Sequence, residues 1–184
     1  MGLTKEQKKE LIKCSAGIIT RDKIKKIINP VSYSEYLNLL NNSLEKNDTS
    51  YFEALFWDLP NNLILKEKEL LVQLFMVNSF HREHENMVSS FQTLFNNNEK
   101  NISVLLESIN SIPEYLRPND FKYPYIRKIV YAIGAQPEPY NIEALENISN
   151  ETNDDEIRNL ALHQIKKRKE LGRWEFKKNK ESAS

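Results

Sequence analysis

Apolar residues along this chain recur at spacings of three and four, not two. Phe80, His84, Met87, Val88, Phe91, Leu94 and Phe95 fall on one arc at a helical turn per 3.6 residues, with His81 at its edge and Glu85 beyond it. Ile157, Leu160, Ala161 and Ile165 form a similar stripe. No segment alternates convincingly, so no strand is predicted. Thr4-Lys5-Glu6-Gln7 and Ser32-Tyr33-Ser34-Glu35 read as capping boxes, in which side chains satisfy the free N–H groups of a helix start. Pro30, Pro60, Pro113, Pro118, Pro124, Pro137 and Pro139 suit helix ends. The pattern predicts helices over about 4–15, 20–29, 32–46, 50–58, 65–79, 82–95, 101–110, 124–134, 141–149 and 154–169. From Gly172 onward a basic, frayed tail is expected.

The second half repeats itself. Val88, Phe91 and Phe95 correspond to Ile126, Ile129 and Ile133 at an offset of 38, and Ile102, Val104 and Leu105 to Ile142, Ala144 and Leu145 at an offset of 40. Each unit is a helix, a short polar turn and a second helix, and DDEIRNLALHQIKKR begins a third. Paired helices at a period near 40 predict an α-solenoid, because one pair cannot bury its apolar stripe without a neighbour.

The segment from FHREHENMVSSF through YIRKIVYAIG to DDEIRNLALHQIKKR resembles small HEAT-repeat-like immunity proteins of bacterial polymorphic toxin systems, over about residues 65–170. The likeness is carried by an aromatic-His-x-x-His-Glu step (Phe80, His81, His84, Glu85), two helical pairs, an Arg-Lys step at Arg127, and a last Ile-Arg/Ala helix. Where the group often has Trp, this chain has Phe80 and Tyr131. The resemblance implies an all-α fold with a right-handed stack of helical pairs. It also implies a protein that binds and neutralises a cognate toxin, with Phe80, His84, Glu85 and Arg127 as its structural motif.

Length and composition add a frame. The chain has 184 residues, which suits a single domain: helices over 1–60, HEAT-like repeats over 65–170, and a tail over 171–184. Only four glycines favour helices over a turn-rich sheet protein. The single cysteine, Cys14, allows no internal disulfide and suits a reducing cytoplasm. No apolar run approaches the roughly 20 residues of a membrane span, and the first residues show neither a signal-peptide core nor a myristoylation pattern.

Charge changes the picture more. The formal net charge is zero, yet residues 1–28 and 166–184 each carry eight basic and three acidic side chains, a net of +5 apiece. Residues 29–165 carry a net of −10. Such a body repels nucleic acid and attracts a basic partner, although the basic ends, with Trp174 and Phe176 interleaved, are the kind of sequence that contacts single strands. Glu138, Glu143, Glu146, Glu151, Asp154, Asp155 and Glu156 crowd one repeat. Asp154 to Glu156 also open a helix, where carboxylates are stabilising in their own right. Glu107, Glu143 and Glu146 lie on second helices of pairs, which in solenoids commonly line the concave surface, and are the expected partner contacts.

The chain's remaining chemistry is sparse. His81 and His84 lie three residues apart, close enough to share one ion on a helix. The spacing is not that of zinc proteases, however, and His163, the only other histidine, lies two repeats away. A structural His84, buried and in need of hydrogen-bond partners, is therefore expected over a metal-dependent enzyme at His81/His84. Cys14 sits among lysines that would lower its pKa, but a helix-face cysteine is the simpler reading. There is no Gly-x-Ser-x-Gly elbow and no phosphate-cradling loop. No cofactor follows. The leading reading is a toxin-binding immunity protein, with a general solenoid adaptor for another protein partner as the alternative and a metal-dependent enzyme at His81/His84 behind both.

Overall fold

A computed structural model describes residues 2–182, with side chains as far as residue 171. The described residues form ten α-helices and one 3₁₀ turn, with no strand. A lone parallel bridge links Val31 to Asn61. No described helix is long and apolar enough to cross a membrane. Contacts divide the chain into two compact units, Met1–His84 and Glu85–Ser184.

The first unit holds α1 (Lys5–Ser15), α2 (Arg21–Ile27), α3 (Tyr33–Glu45), α4 (Thr49–Asp58) and α5 (Leu65–Phe75). Both expected capping boxes form, Thr4 with Gln7 and Ser32 with Glu35. Helices α1 and α3 end alike. Ile18 N–H donates to the Lys13 carbonyl and Gly17 N–H to that of Cys14, with Gly17 at φ +71°. At the end of α3, Asp48 N–H donates to Ser43 and Asn47 N–H to Leu44, with Asn47 at φ 51°. Both are Schellman closures, which need a left-handed residue that glycine or asparagine supplies at least cost. Helix α4 packs against α1 and α3. Its final carbonyls meet the buried Tyr36 hydroxyl, 2.7 Å from the oxygens of Leu55 and Phe56. The core of this unit is aromatic: Phe52 meets Phe75 edge-on at 5.2 Å and stacks near Phe56 at 5.7 Å.

The second unit is built from α6 (His84–Thr93), α7 (Lys100–Asn110), a 3₁₀ turn (Glu114–Leu116), α8 (Asn119–Gly134), α9 (Tyr140–Glu151) and α10 (Asp155–Ser182). Helix α8 is its centre, in contact with α7, α9 and α10. Tyr125, Ile126, Ile129, Val130 and Ile133 on α8 are fully buried. Where α8 crosses α10, a Cβ at Gly134 would lie 2.7 Å from Cγ of Gln164, so a larger residue here requires Gln164 to move.

Several boundaries depart from the periodic reading. Helix α8 starts five residues earlier than expected and contains Pro124. Pro124 lies past the first turn, where proline costs one backbone hydrogen bond, yet it does not end the helix. Helix α10 runs from Asp155 to Ser182, past the boundary expected at 169. Helix α6 starts at His84, not residue 82, and ends at Thr93. Phe80 to Glu83 therefore lie in a turn and a bend that no helical wheel describes. Two residues placed on the α6 arc consequently fall off it: Phe80 is half-buried, and Leu94 is 61% exposed.

Candidate functional site

The FHREHE stretch closes the first unit. Asn78 Oδ1 accepts from the Phe80 N–H at 2.9 Å and starts the turn. The turn directs His81 inward, and His81 is as buried as His84; the expectation that it sits at the edge was wrong because residue 81 precedes the helix. Its ring lies flat on Phe52, with centroids 4.9 Å apart and planes 5° from parallel. His84 stacks on the other side of His81 at 4.3 Å. Phe80 approaches Phe52 edge-on at 6.4 Å.

Hydrogen bonds fix the role of His81. Its Nε2–H donates to the Phe75 carbonyl at 2.8 Å, and its Nδ1 accepts from the Glu83 N–H at 3.1 Å. Both ring nitrogens are thus occupied by backbone, and neither lone pair is left for an ion. The Nε2–H of His84 donates to the Asn78 carbonyl at 3.0 Å. Burial pushes both imidazoles below the ordinary histidine pKa, and the neighbouring His81 helps bring His84 down to about 4. The neutral, stacked pair fastens the turn over 80–84 to the end of α5, within the first unit. Among the described residues no group of three or more His, Cys, Asp or Glu is placed to hold a metal ion. Glu83, which follows His81, accepts from the Trp57 indole at 2.7 Å.

The other residues of the motif serve the surface. Glu85, on the first turn of α6, pairs with Lys128 of α8 at 2.8 Å, both near half exposure. Arg127 is exposed, its guanidinium 5.8 Å from the centroid of Tyr131, which Lys167 also approaches at 5.1 Å. His163 is exposed. Cys14 is buried, and burial followed by the Asp58 carboxylate raises its thiol pKa; the nearby lysines do not activate it.

The expected partner contacts, Glu107 on α7 and Glu143 and Glu146 on α9, are all exposed. Glu107 and Glu143 have no ion-pair partner among the described residues, and Glu146 has Lys169 at 3.7 Å. Asp154 and Asp155, in contrast, are engaged within the fold. Asp154 caps α10 by accepting from the N–H groups of Glu156 and Ile157, and its other oxygen holds Lys122 and the Tyr123 hydroxyl, each at 3.1 Å. Asp155 pairs with Arg158.

Helices α7 and α9 are adjacent, and a groove of about 700 Å³ opens between their C-terminal ends. Its floor is aliphatic, with Leu106, Ile109, Ile112 and Ile148 half-buried and Ile126 and Ile157 deeper.

Two buried polar residues escaped the sequence reading. Asn101 and Asn141 open α7 and α9 at the same offset of 40 as Ile102 and Ile142. Asn101 Nδ2 donates to the Phe95 carbonyl at 2.7 Å, and Asn141 Nδ2 to that of Gly134 at 3.1 Å. Each amide therefore ties the second helix of a pair to the end of the first. Gln136 adds to the first tie alone: its Nε2 donates to the Phe91 carbonyl at 3.0 Å, and its Oε1 accepts from Asn101 at 3.3 Å. The signal was present as the repeated Asn-Ile-x-x-Leu of residues 101–105 and 141–145. Attention to apolar positions alone passed over it.

In comparison with protein-family models, with curated proteins and with solved structures, the chain finds no match.

Proposed function

We propose that the protein is a binding protein that neutralises a bacterial toxin by occlusion, acting in the cytoplasm of the cell that makes the toxin. In this reading the second unit is a short HEAT-like stack, α6 with α7, α8 with α9, and α10 opening the third pair. The observation that carries the reading is the pair of exposed carboxylates without ion-pair partners, Glu107 and Glu143, on the neighbouring second helices α7 and α9. Their desolvation against a basic surface gives specificity, and the charge of the −10 body speeds encounter. The repeated asparagine ties support the stack, because they recur at the period of the pairs and make successive hairpins alike. The same reading makes Phe80, His81 and His84 structural and requires neither metal nor cofactor.

Co-expression with the toxin encoded beside this gene tests the proposal. Cells carrying both genes should grow and cells carrying the toxin alone should die. Death in both cases removes the proposal.

A further inference from the structure

We infer that the groove between the ends of α7 and α9 receives a basic segment of the partner protein, with one aliphatic or aromatic side chain entering it and an adjacent lysine or arginine meeting Glu151. This rests on the occlusion reading above and adds to it a location and a chemistry. The groove lies wholly within the second unit and, at about 700 Å³, falls in the range of sites that enclose a ligand. Four of its aliphatic side chains, Leu106, Ile109, Ile112 and Ile148, stay half-covered, although the neighbouring Ile126 and Ile157 are buried. A floor of this kind gains free energy when an apolar side chain displaces its water.

The rim decides the sign of the partner. Among the described residues Lys122 is the one cation lining the groove, and its ammonium is already bound by Asp154 at 3.1 Å, a hydrogen bond that raises its pKa. Glu151, exposed at the last position of α9, has no partner among the described residues and leaves the rim net negative. Glu107, Glu143 and Glu146 extend the same sign along the two helices. At the C-terminal ends of the two helices, where the groove opens, an anion meets the unpaired Glu151 carboxylate, whereas a cation is attracted. Asn110, Asn147 and Asn153 on the rim carry both donors and acceptors, as the backbone of an extended segment requires.

The test is a titration of the whole protein, carbon-13 labelled at its isoleucine methyls, with three short synthetic peptides. They carry Lys-Leu-Lys, Glu-Leu-Glu or Lys-Ser-Lys between Gly-Ser spacers. Lys-Leu-Lys should shift the methyls of Ile109, Ile148 and Ile157, and the other two peptides should bind at least about tenfold more weakly. Glu151→Lys, a change at an exposed helix end, should weaken Lys-Leu-Lys by about tenfold and improve Glu-Leu-Glu. Ile148→Asp should abolish binding, with circular dichroism to check that its helix content is retained. Equal binding of the acidic peptide, absence of shifts at millimolar peptide, or shifts confined to other isoleucines would overturn the inference. Two further outcomes would also overturn it by assigning the groove to another occupant. One is 1-hexanol binding at the same methyls with no response to Glu151→Lys; the other is shifts that arise from raising the protein concentration alone. Co-expression separates this inference from the parent reading. A folded Glu151→Lys/Ile148→Asp variant that still protects cells overturns the groove alone. Failure of the unmodified protein to protect overturns occlusion, while the peptide result stands by itself.

Discussion

The imidazole of His84 is buried, with the His81 ring stacked on it and the Asn78 carbonyl oxygen at its Nε2. Burial, followed by the neighbouring His81, disfavours a proton on this ring. The sign of the pH effect follows. In the unfolded chain His84 takes up a proton below about pH 6.5; in the folded chain it resists until about 4. The unfolded state therefore binds more protons between these limits, and stability is complete above the upper one and falls toward the lower. From pH 7 to pH 5 the loss attributable to His84 is about 2 kcal/mol. Urea unfolding at the two pH values measures it. His84→Gln, whose amide still donates to Asn78, should be less stable at pH 7 yet lose distinctly less between pH 7 and pH 5. An equal loss in both proteins would place the sensitivity elsewhere. How this site reads in sequence depends on which histidine is considered. His84 opens a helix, and its periodic position correctly implied burial. His81 sits in a turn set by the Asn78 side chain, and no periodicity reaches it.

Elements are legible here where local rules suffice. Capping boxes at Thr4 and Ser32 and the three-four spacing of apolar residues locate nearly every helix. The rules fail at Pro124, which reads as a stop yet lies within the second turn of α8, because tertiary packing of Tyr125 and Ile126 outweighs one lost hydrogen bond. They fail again for Asn101 and Asn141, since a polar residue beside an apolar stripe reads as solvent-facing until the carbonyl it serves is known. Asn141→Ala should cost about 1–3 kcal/mol by leaving the Gly134 carbonyl buried without a donor. Asn101→Ala should cost more than Asn141→Ala because it also removes a donor from Gln136. The pair Asn101→Ala and Gln136→Ala should be non-additive in chemical denaturation, and strict additivity would show that the two amides act separately. Gly134 gives a sharper test. In an open helix glycine to alanine stabilises by about 1 kcal/mol. Here Gly134→Ala should destabilise by about 1–3 kcal/mol, because the added methyl meets the inner carbons of Gln164 and forces α8 from α10. Gln164→Ala in the same chain should recover most of the loss in thermal unfolding. A stabilised single variant would show that the approach of the two helices is loose.

At the scale of the whole chain, the all-helical class was legible from glycine scarcity and periodicity. The division at residue 84 was not legible, because the break expected between helices over 65–79 and 82–95 fell inside the region read as repeats from residue 65, and nothing in the pattern assigned 65–84 to the first unit. Charge is the other property of this scale, and it bears on rate more than on affinity. If occlusion is the function, the carboxylates of α7 and α9 lie outside the apolar contacts and steer the partner from a distance set by ionic screening, about 8 Å at physiological salt. Reversing all three, Glu107→Lys, Glu143→Lys and Glu146→Lys, removes no buried group, since each is exposed. The variant should therefore keep its urea midpoint and its helical spectrum, although Glu146 gives up the loose pairing with Lys169. Association with the toxin, followed by stopped-flow fluorescence at low salt, should slow by about ten- to a hundredfold, with a smaller change in dissociation. Raising salt should slow the unmodified protein and leave the variant level or faster, so the two rates converge as screening removes the difference. Parallel salt dependences would mean that this face does not meet the partner, and the acidic body would then act only as a solvated surface.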